Sequence, residues 1–448
     1  MIPEAWRRGE VAVVGLGRSG LAATRWLLRH GLRVYASDRA STAALHEAAK
    51  ALRAEGADVD VGGHALQRIA AATSVVVSPG VPPDAPPIAA ARAAGVDVVA
   101  EIDLGVRAFD QSRCIAVTGT NGKTTTTALI AHVLNTGGLA AAAVGNIGRP
   151  LTDLAADPAR PDWIVVEVSS FQLHDAPHLA PLIGVVTNLA PDHLDRYADV
   201  LAYYNDKKLL FRNAEESSTW VLNGDDPAVG ALAVGASGQR REWSLQRPRD
   251  AWYDRETARL MLGAAVLVDR SELPLLGDHN VANALAAALA AVAAGVDPGQ
   301  VARGLRTFSA PAHRLERVGR VRDVEWINDS KATNVSAASV ALRSMTGPFV
   351  LILGGRPKGE DFAALKDALS AGCRAVVAYG EAAKAIARSL GGATSVETVD
   401  RFDDAVLLAG THAAPGDAVL LSPACASFDQ FNNFEERGDR FRELVQNL

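Results

Sequence analysis

Two stretches of the chain gather groups suited to phosphate. In Cys114-Ile-Ala-Val-Thr-Gly119-Thr120-Asn121-Gly122-Lys123-Thr124-Thr125 an apolar strand passes through a glycine turn into a helical pattern. Backbone N–H groups of such a turn, with the positive end of the following helix, face an anion; Lys123 reaches the outer phosphates and the Thr124 hydroxyl suits Mg²⁺. A nucleoside triphosphate is the expected ligand. The loop is shorter than the general phosphate loop, because Val117 stands where a first glycine would be. The second stretch, Gly15-Leu-Gly17-Arg18-Ser19-Gly20, follows a strand over 10–14, and Asp38 ends the next strand. This satisfies a dinucleotide fingerprint, so a nicotinamide-dependent dehydrogenase has to be weighed. The physics asks only for a phosphate at a helix N-terminus, which a UDP-type ligand meets equally well.

Other candidates follow apolar strands. Glu167 lies inside the run 163–170, where an unpaired carboxylate is costly, so it needs a cation: Mg²⁺ on the functional reading, a local Arg or Lys otherwise. The segment 188–197, with His193, is dense in ligand-capable groups, although a lone histidine is more often structural. Lys207 and Lys208 sit on a helix whose bland reading is a solvated face. Farther along, His313-Arg314-Leu-Glu316 and Asn328-Asp329-Ser330-Lys331-Ala-Thr333-Asn334 place cations, a carboxylate and hydroxyls in two short stretches. Arg314 and Lys331 suit a phosphate in transfer. With Gly354-Gly-Arg-Pro-Lys358-Gly359 and Ser422-Pro-Ala-Cys-Ala-Ser427-Phe-Asp-Gln-Phe-Asn-Asn-Phe434, both directly after expected strands, they suggest a substrate site at one sheet edge.

The elements that hold these groups read as strands alternating with helices, hence an α/β chain with parallel sheets. Strands are expected at 10–14, 32–37, 74–77, 114–118, 163–170, 183–188, 324–327, 349–353, 375–379 and 418–421, and an Ala-rich helix at 280–294. Pattern leaves residues 220–276 undetermined. Three domains follow: a Rossmann-like N-terminal domain over 1–110, a central P-loop NTPase-like domain over 111–310, and a Rossmann-like C-terminal domain over 311–448.

The 448 residues are 48% hydrophobic and 21% charged, which is ordinary for a soluble globular protein. A net charge of -6 gives no electrostatic case for nucleic acid or an anionic membrane as partner. Neither a signal peptide nor a transmembrane segment is expected, so the expected location is cytoplasmic and the expected state a monomer. Cys114, Cys373 and Cys425 are too scattered for a zinc site and read as buried small residues.

In this order, the motifs resemble the Mur ligase family of ATP-dependent amide-forming enzymes, across essentially the whole chain. Thr118–Thr125 marks the family broadly and accounts for the shortened loop; 328–334 and 422–438 resemble its glutamate-adding branch. The resemblance implies UDP-N-acetylmuramoyl-L-alanine, ATP and D-glutamate as substrates and the use of two Mg²⁺ ions. It implies Arg18, Ser19, Arg39, Ser78, Asn146 and His193 around the UDP substrate, and Gly119, Thr120, Asn121, Gly122, Lys123, Thr124, Thr125, Asn280, Asn283, Arg314 and Asp329 around ATP. Thr333, Lys358, Ser427 and Phe434 would surround glutamate, and Thr124, Glu167 and His193 would hold metal. Lys123, His193, Lys208, His313 and Lys331 would be catalytic. The family also carbamylates one lysine as a metal ligand; matched from His193 it falls on Lys208, with Lys207 the alternative one residue away.

The implied reaction is attack of the alanyl carboxylate on the γ-phosphate, giving an acyl phosphate that the glutamate amine then displaces. Bringing glutamate to the nucleotide implies domain closure. The competing readings are a same-fold ligase with another acceptor, such as L-glutamate or a folylpolyglutamate-type substrate, the dehydrogenase above, and a non-catalytic nucleotide-binding module.

Overall fold

The computed structural model describes residues 2–192, 196–359, 361–369 and 372–448. Its backbone forms three sheets. In the first, β1 (Glu10–Val14), β2 (Arg33–Asp38), β3 (Asp58–Val61), β4 (Ser74–Val77) and β5 (Val98–Ala100) run parallel in the order β3-β2-β1-β4-β5. The strand order reverses at β1, so the crevice at the carboxyl ends of β1 and β4 is where a ligand belongs.

The second sheet contains β6 (Cys114–Thr118), β7 (Ala141–Gly145), β8 (Trp163–Glu167), β9 (Ile183–Val186), β10 (Thr219–Asn223), β11 (Gln239–Ser244), β12 (Ala251–Asp254), β13 (Arg259–Leu262) and β14 (Ala265–Asp269). Their order is β14-β13-β12-β11-β10-β9-β6-β8-β7, parallel from β7 to β12 and antiparallel beyond. β6, β8 and β9 are buried at every position, which is why they read as unbroken apolar runs. The region that pattern left undetermined is thus an extension of this sheet.

The third sheet, β15 (Glu316–Val321), β16 (Val324–Asn328), β17 (Phe349–Gly354), β18 (Cys373–Tyr379), β19 (Ser395–Val399) and β20 (Ala418–Leu421), is ordered β15-β16-β20-β17-β18-β19. All its pairings are parallel except that of β15 with β16.

These sheets pack as two compact units, Met1–Leu273 with Ala282–Phe308, and Pro274–Val281 with Ser309–Leu448. The first two sheets share a unit because the helix Glu101–Val106 is buried along its whole length. Leu104 joins the core of the first sheet, while Ile102 and Val106 join that of the second. Among the described residues no helix is long and apolar enough to cross a membrane.

The first glycine turn shows how tightly the local backbone dictates sequence. Gly15 has φ +91°, and a Cβ on Gly20 would fall 1.8 Å from Gly15 O, whereas one on Gly17 would meet nothing within 4 Å. Gly20→Ala should therefore cost roughly 1–3 kcal/mol of unfolding free energy, and Gly17→Ala should cost little. Urea titration of both variants checks this; equal losses would show that the turn can relax.

Candidate active site

Three clusters of functional groups lie at carboxyl ends of parallel strands. At the first sheet, a cleft of about 700 Å³ is lined by Arg18, Ser19, Asp38, Arg39, His64, Ser78 and, from the loop after β7, Asn146. All five described residues expected around the UDP substrate are thus brought together. His193, also expected there, lies outside the described residues. Ser78 Oγ donates to Gly15 O at 2.7 Å, tying β4 to the glycine turn. Asp38, the acid of the dinucleotide fingerprint, accepts from Leu16 N at 2.7 Å and Ala40 N at 2.8 Å. It braces the turn while also lining the cleft. His64, which pattern did not single out, bonds Ser37 Oγ at 2.9 Å, and burial lowers its pKa.

The second cluster is the phosphate loop at the end of β6. Gly119 has φ +140°, and a Cβ there would lie 2.0 Å from Thr187 Oγ1. The loop is held from the segment after β9: Asn188 accepts from Asn121 N and donates to Asn121 O, both at 2.9 Å, while Thr187 Oγ1 donates to the same carbonyl at 2.6 Å. Thr120 Oγ1 exchanges hydrogen bonds with the Ala190 backbone. Asn283 contacts the helix that follows the loop, accepting from Thr126 Oγ1 at 3.1 Å. Lys123 Nζ folds back onto Gly119 O at 3.0 Å and Thr120 O at 2.8 Å. Thr124 and Thr125 begin the helix Lys123–Thr136, whose N-terminus opens at Gly122.

Glu167 closes β8 beside this loop, in register with Val117. It is 2% exposed; Oε1 accepts from Asn146 Nδ2 at 3.0 Å, while Oε2 is buried with no hydrogen-bond partner. An orphaned buried carboxylate oxygen next to a phosphate loop fits a divalent cation, and among the described residues no ion pair joins Glu167 to an Arg or Lys.

Of the two adjacent lysines weighed from sequence, the structure brings Lys207 to the loop. Lys208 is exposed at the end of its helix, whereas Lys207 is 1% exposed and its Nζ donates to Gly119 O at 2.8 Å. Burial, and next the charge of Lys123, hold the Lys207 ammonium well below its usual pKa. The helix Val200–Lys208 turns only one of the two adjacent lysines inward.

The third cluster lies on the third sheet. Loops leaving the neighbouring strands β16, β20 and β17 carry residues 329–334, 422–434 and 355–359. Ala424 N bonds Ala332 O at 2.9 Å, and Arg356 pairs through its backbone with Ala426. Lys358 Nζ donates to Thr333 Oγ1 at 3.2 Å, and Lys331 Nζ sits 3.8 Å from the centre of the Phe434 ring. Ser427 is 2% exposed on the same loop system. The expected glutamate residues therefore share one sheet edge. Asn280, Arg314 and Asp329 belong to this unit. Asn280 is anchored to Leu276 O, and Asp329 accepts from Ser422 Oγ at 2.8 Å and Leu315 N at 3.2 Å.

His313, expected to be catalytic, is 6% exposed. Its ring is packed on Gly438, with Nδ1 3.1 Å from Asn328 Nδ2, and burial lowers its pKa.

Three family models match the chain: Mur ligase MurD-like, N-terminal domain at residues 9–100, Mur ligase middle domain at 117–291, and Mur ligase, glutamate ligase domain at 313–425. Proteins named UDP-N-acetylmuramoylalanine–D-glutamate ligase from Gloeobacter violaceus and Acidobacterium capsulatum are 43% and 41% identical to it. The alignments cover 98% and 97% of this chain and 99% and 96% of those proteins. Among solved structures, the UDP-N-acetylmuramate-alanine ligase MurC of Thermotoga maritima shares the fold with a TM-score of 0.64 at 19% identity, over 98% of this chain and 99% of that one. A Mycobacterium tuberculosis folylpolyglutamate synthase complexed with ADP gives 0.59 at 18%, over 76% and 92%.

Burial pushes the Asp329 carboxyl up to about 7 from an ordinary 3.8. Between those values the folded state keeps a proton that the unfolded chain releases, so this group favours folding most below pH 3.8 and loses that contribution as pH rises through 7. Asp329→Asn removes the loss. In denaturant titrations, the stability of the variant relative to wild type should rise from pH 5 to pH 8; a constant difference would mean that Asp329 ionises normally.

Proposed function

The chain belongs to the Mur ligase family, and from that premise we propose that it joins D-glutamate to UDP-N-acetylmuramoyl-L-alanine at the expense of ATP, a step of cytoplasmic peptidoglycan precursor synthesis. The observation that carries the choice of acceptor is the identity of about 40% with D-glutamate ligases over full length, on a chain whose three motif-bearing loops converge on one sheet edge.

The cleft at the first sheet takes the UDP end, with Arg18 and Arg39 meeting its phosphates and Asn146 leading toward the phosphate loop. At that loop the backbone amides and Lys123 orient the ATP phosphates; Thr124 and Glu167 would hold Mg²⁺, whose role when bound is to neutralise charge on the transferring phosphoryl group. The alanyl carboxylate attacks the γ-phosphorus, ADP leaves, and an acyl phosphate results. Lys331 and Arg314 offset its charge, while Thr333 and Lys358 orient glutamate, with Ser427 and Phe434 beside them. The glutamate amine then adds to the acyl carbon, and phosphate departs with formation of the amide.

Lys207 has a distinct part in this reading. CO₂ adds only to an unprotonated amine, releasing a proton and leaving a carbamate. The low pKa of Lys207 supplies that amine, and the carbamate oxygens would ligate a second Mg²⁺ together with His193. In ¹³C-bicarbonate, a carbamate carbon signal should appear in wild type and in Lys208→Ala and vanish in Lys207→Ala, with Lys207→Ala also losing about 10²–10³-fold in kcat. A signal that follows Lys208 reverses the assignment.

Phosphate release from ATP with UDP-N-acetylmuramoyl-L-alanine tests the activity itself. It should depend on D-glutamate. Dependence on L-glutamate alone would overturn the acceptor, and release with neither would overturn the ligase reading.

A further inference from the structure

The acceptor end of the second unit is built around a buried cation that no motif reading used. Arg437 stands in the first turn of the helix Phe434–Gln446 and is 0% exposed. Its Nε donates to Ser330 Oγ at 2.9 Å and its Nη2 to Ser330 O at 2.8 Å. Nη1 donates to Cys425 O at 3.1 Å and to the Tyr379 hydroxyl at 3.3 Å. All four acceptors are uncharged. A Cβ on Gly355 would stand 3.2 Å from Nη1, so the turn after β17 also lies against this group. The loops that carry Lys331 and Thr333, Ser427, and Lys358 therefore meet on one guanidinium.

Two physical properties distinguish that arrangement from ordinary packing. The planar fork fixes the direction of several hydrogen bonds at once, which an ammonium cannot do. A guanidinium surrounded by neutral oxygens also keeps its field uncancelled in a low-dielectric interior. Its charge favours ionisation of Asp329, which burial opposes. A dicarboxylate acceptor bound at the sheet edge would add negative charge within this field.

We propose that Arg437 is the positioning residue for the acceptor amino acid, registering the three loops around it and supplying the field that favours a dicarboxylate. The inference rests on the D-glutamate ligase reading. Arg437 itself does not touch substrate; it acts through Lys331, Thr333, Ser427 and Lys358.

Steady-state kinetics with each substrate varied in turn tests this. Arg437→Met should raise the KM for D-glutamate about tenfold or more, equivalent to ~1.4 kcal/mol, with the KM values for ATP and UDP-N-acetylmuramoyl-L-alanine within about twofold of wild type. Arg437→Lys, which keeps charge without the fork, should recover part of the loss. An unchanged glutamate KM, or equal shifts for all three substrates, would overturn the proposal. Should the Arg437 variants fail to fold, Tyr379→Phe removes one Nη1 acceptor and should raise the glutamate KM a few-fold at unchanged melting temperature; no change would overturn the role equally. A wild-type protein without glutamate-dependent turnover would sink the activity reading, whereas normal wild-type turnover with an unaltered Arg437→Met KM sinks only the positioning role.

Discussion

Two ammonium groups share one carbonyl. Lys123 Nζ and Lys207 Nζ both donate to Gly119 O, at 3.0 and 2.8 Å. At such a separation two full charges repel by about 3 kcal/mol at an effective dielectric of 20, a conflict that burial sharpens for Lys207 and that Asp192 and Asp206 relieve in part. On the proposed reading Lys207 takes up CO₂ and the partly exposed Lys123 meets phosphate, within a single turn of backbone.

That conflict persists only if Gly119 O cannot swing away, and much of the second sheet serves to hold it. Asn188 grips Asn121 from both sides of its peptide, and the segment bearing Asn188 is itself gripped: Asn223 Nδ2 donates to Thr187 O at 3.0 Å, and Leu189 N to Asp226 Oδ2 at 2.8 Å. The brace therefore runs from the turn after β10, through the segment after β9, to the loop after β6. These strands are adjacent and parallel, so their carboxyl ends fall side by side. The parallel sheet is what allows three separate chain segments to restrain one loop.

Buried strands were the legible part of the sequence. β1, β4 and β20 fall where their apolar runs place them, because a strand covered on both faces must be apolar throughout. Edge strands such as β3 and β19, with polar residues on their open side, carry no such signal and were not foreseen. The site divides in the same way. Lys123, Glu167 and Lys358 stood out because each pairs a chemical type with a strand end, whereas Asn146 came from the family resemblance alone. Asn188 was visible only as one polar residue in a ligand-rich segment, since a clamp on a distant peptide leaves no spacing pattern. Arg437 was hidden among charged neighbours, Glu435, Glu436 and Asp439, and only the fold distinguishes a guanidinium at 0% exposure from a solvated one. The choice between Lys207 and Lys208 stayed open for a related reason: two identical residues in sequence differ by about 100° around a helix, and only packing decides which one faces the loop.

The two units meet the same electrostatic problem with different cations, and the difference follows from their substrates. A transferring phosphoryl group changes its charge distribution during the reaction, which suits a flexible, partly exposed side chain such as that of Lys123 at the start of its helix. An acceptor amino acid must only be held, with its amine aimed at one carbon. A rigid fork buried beneath the loops suits that task, because it sets geometry without entering the reaction path. On the proposed reading, a fixed charge beneath the acceptor loops lets them keep their register as the acceptor binds and leaves.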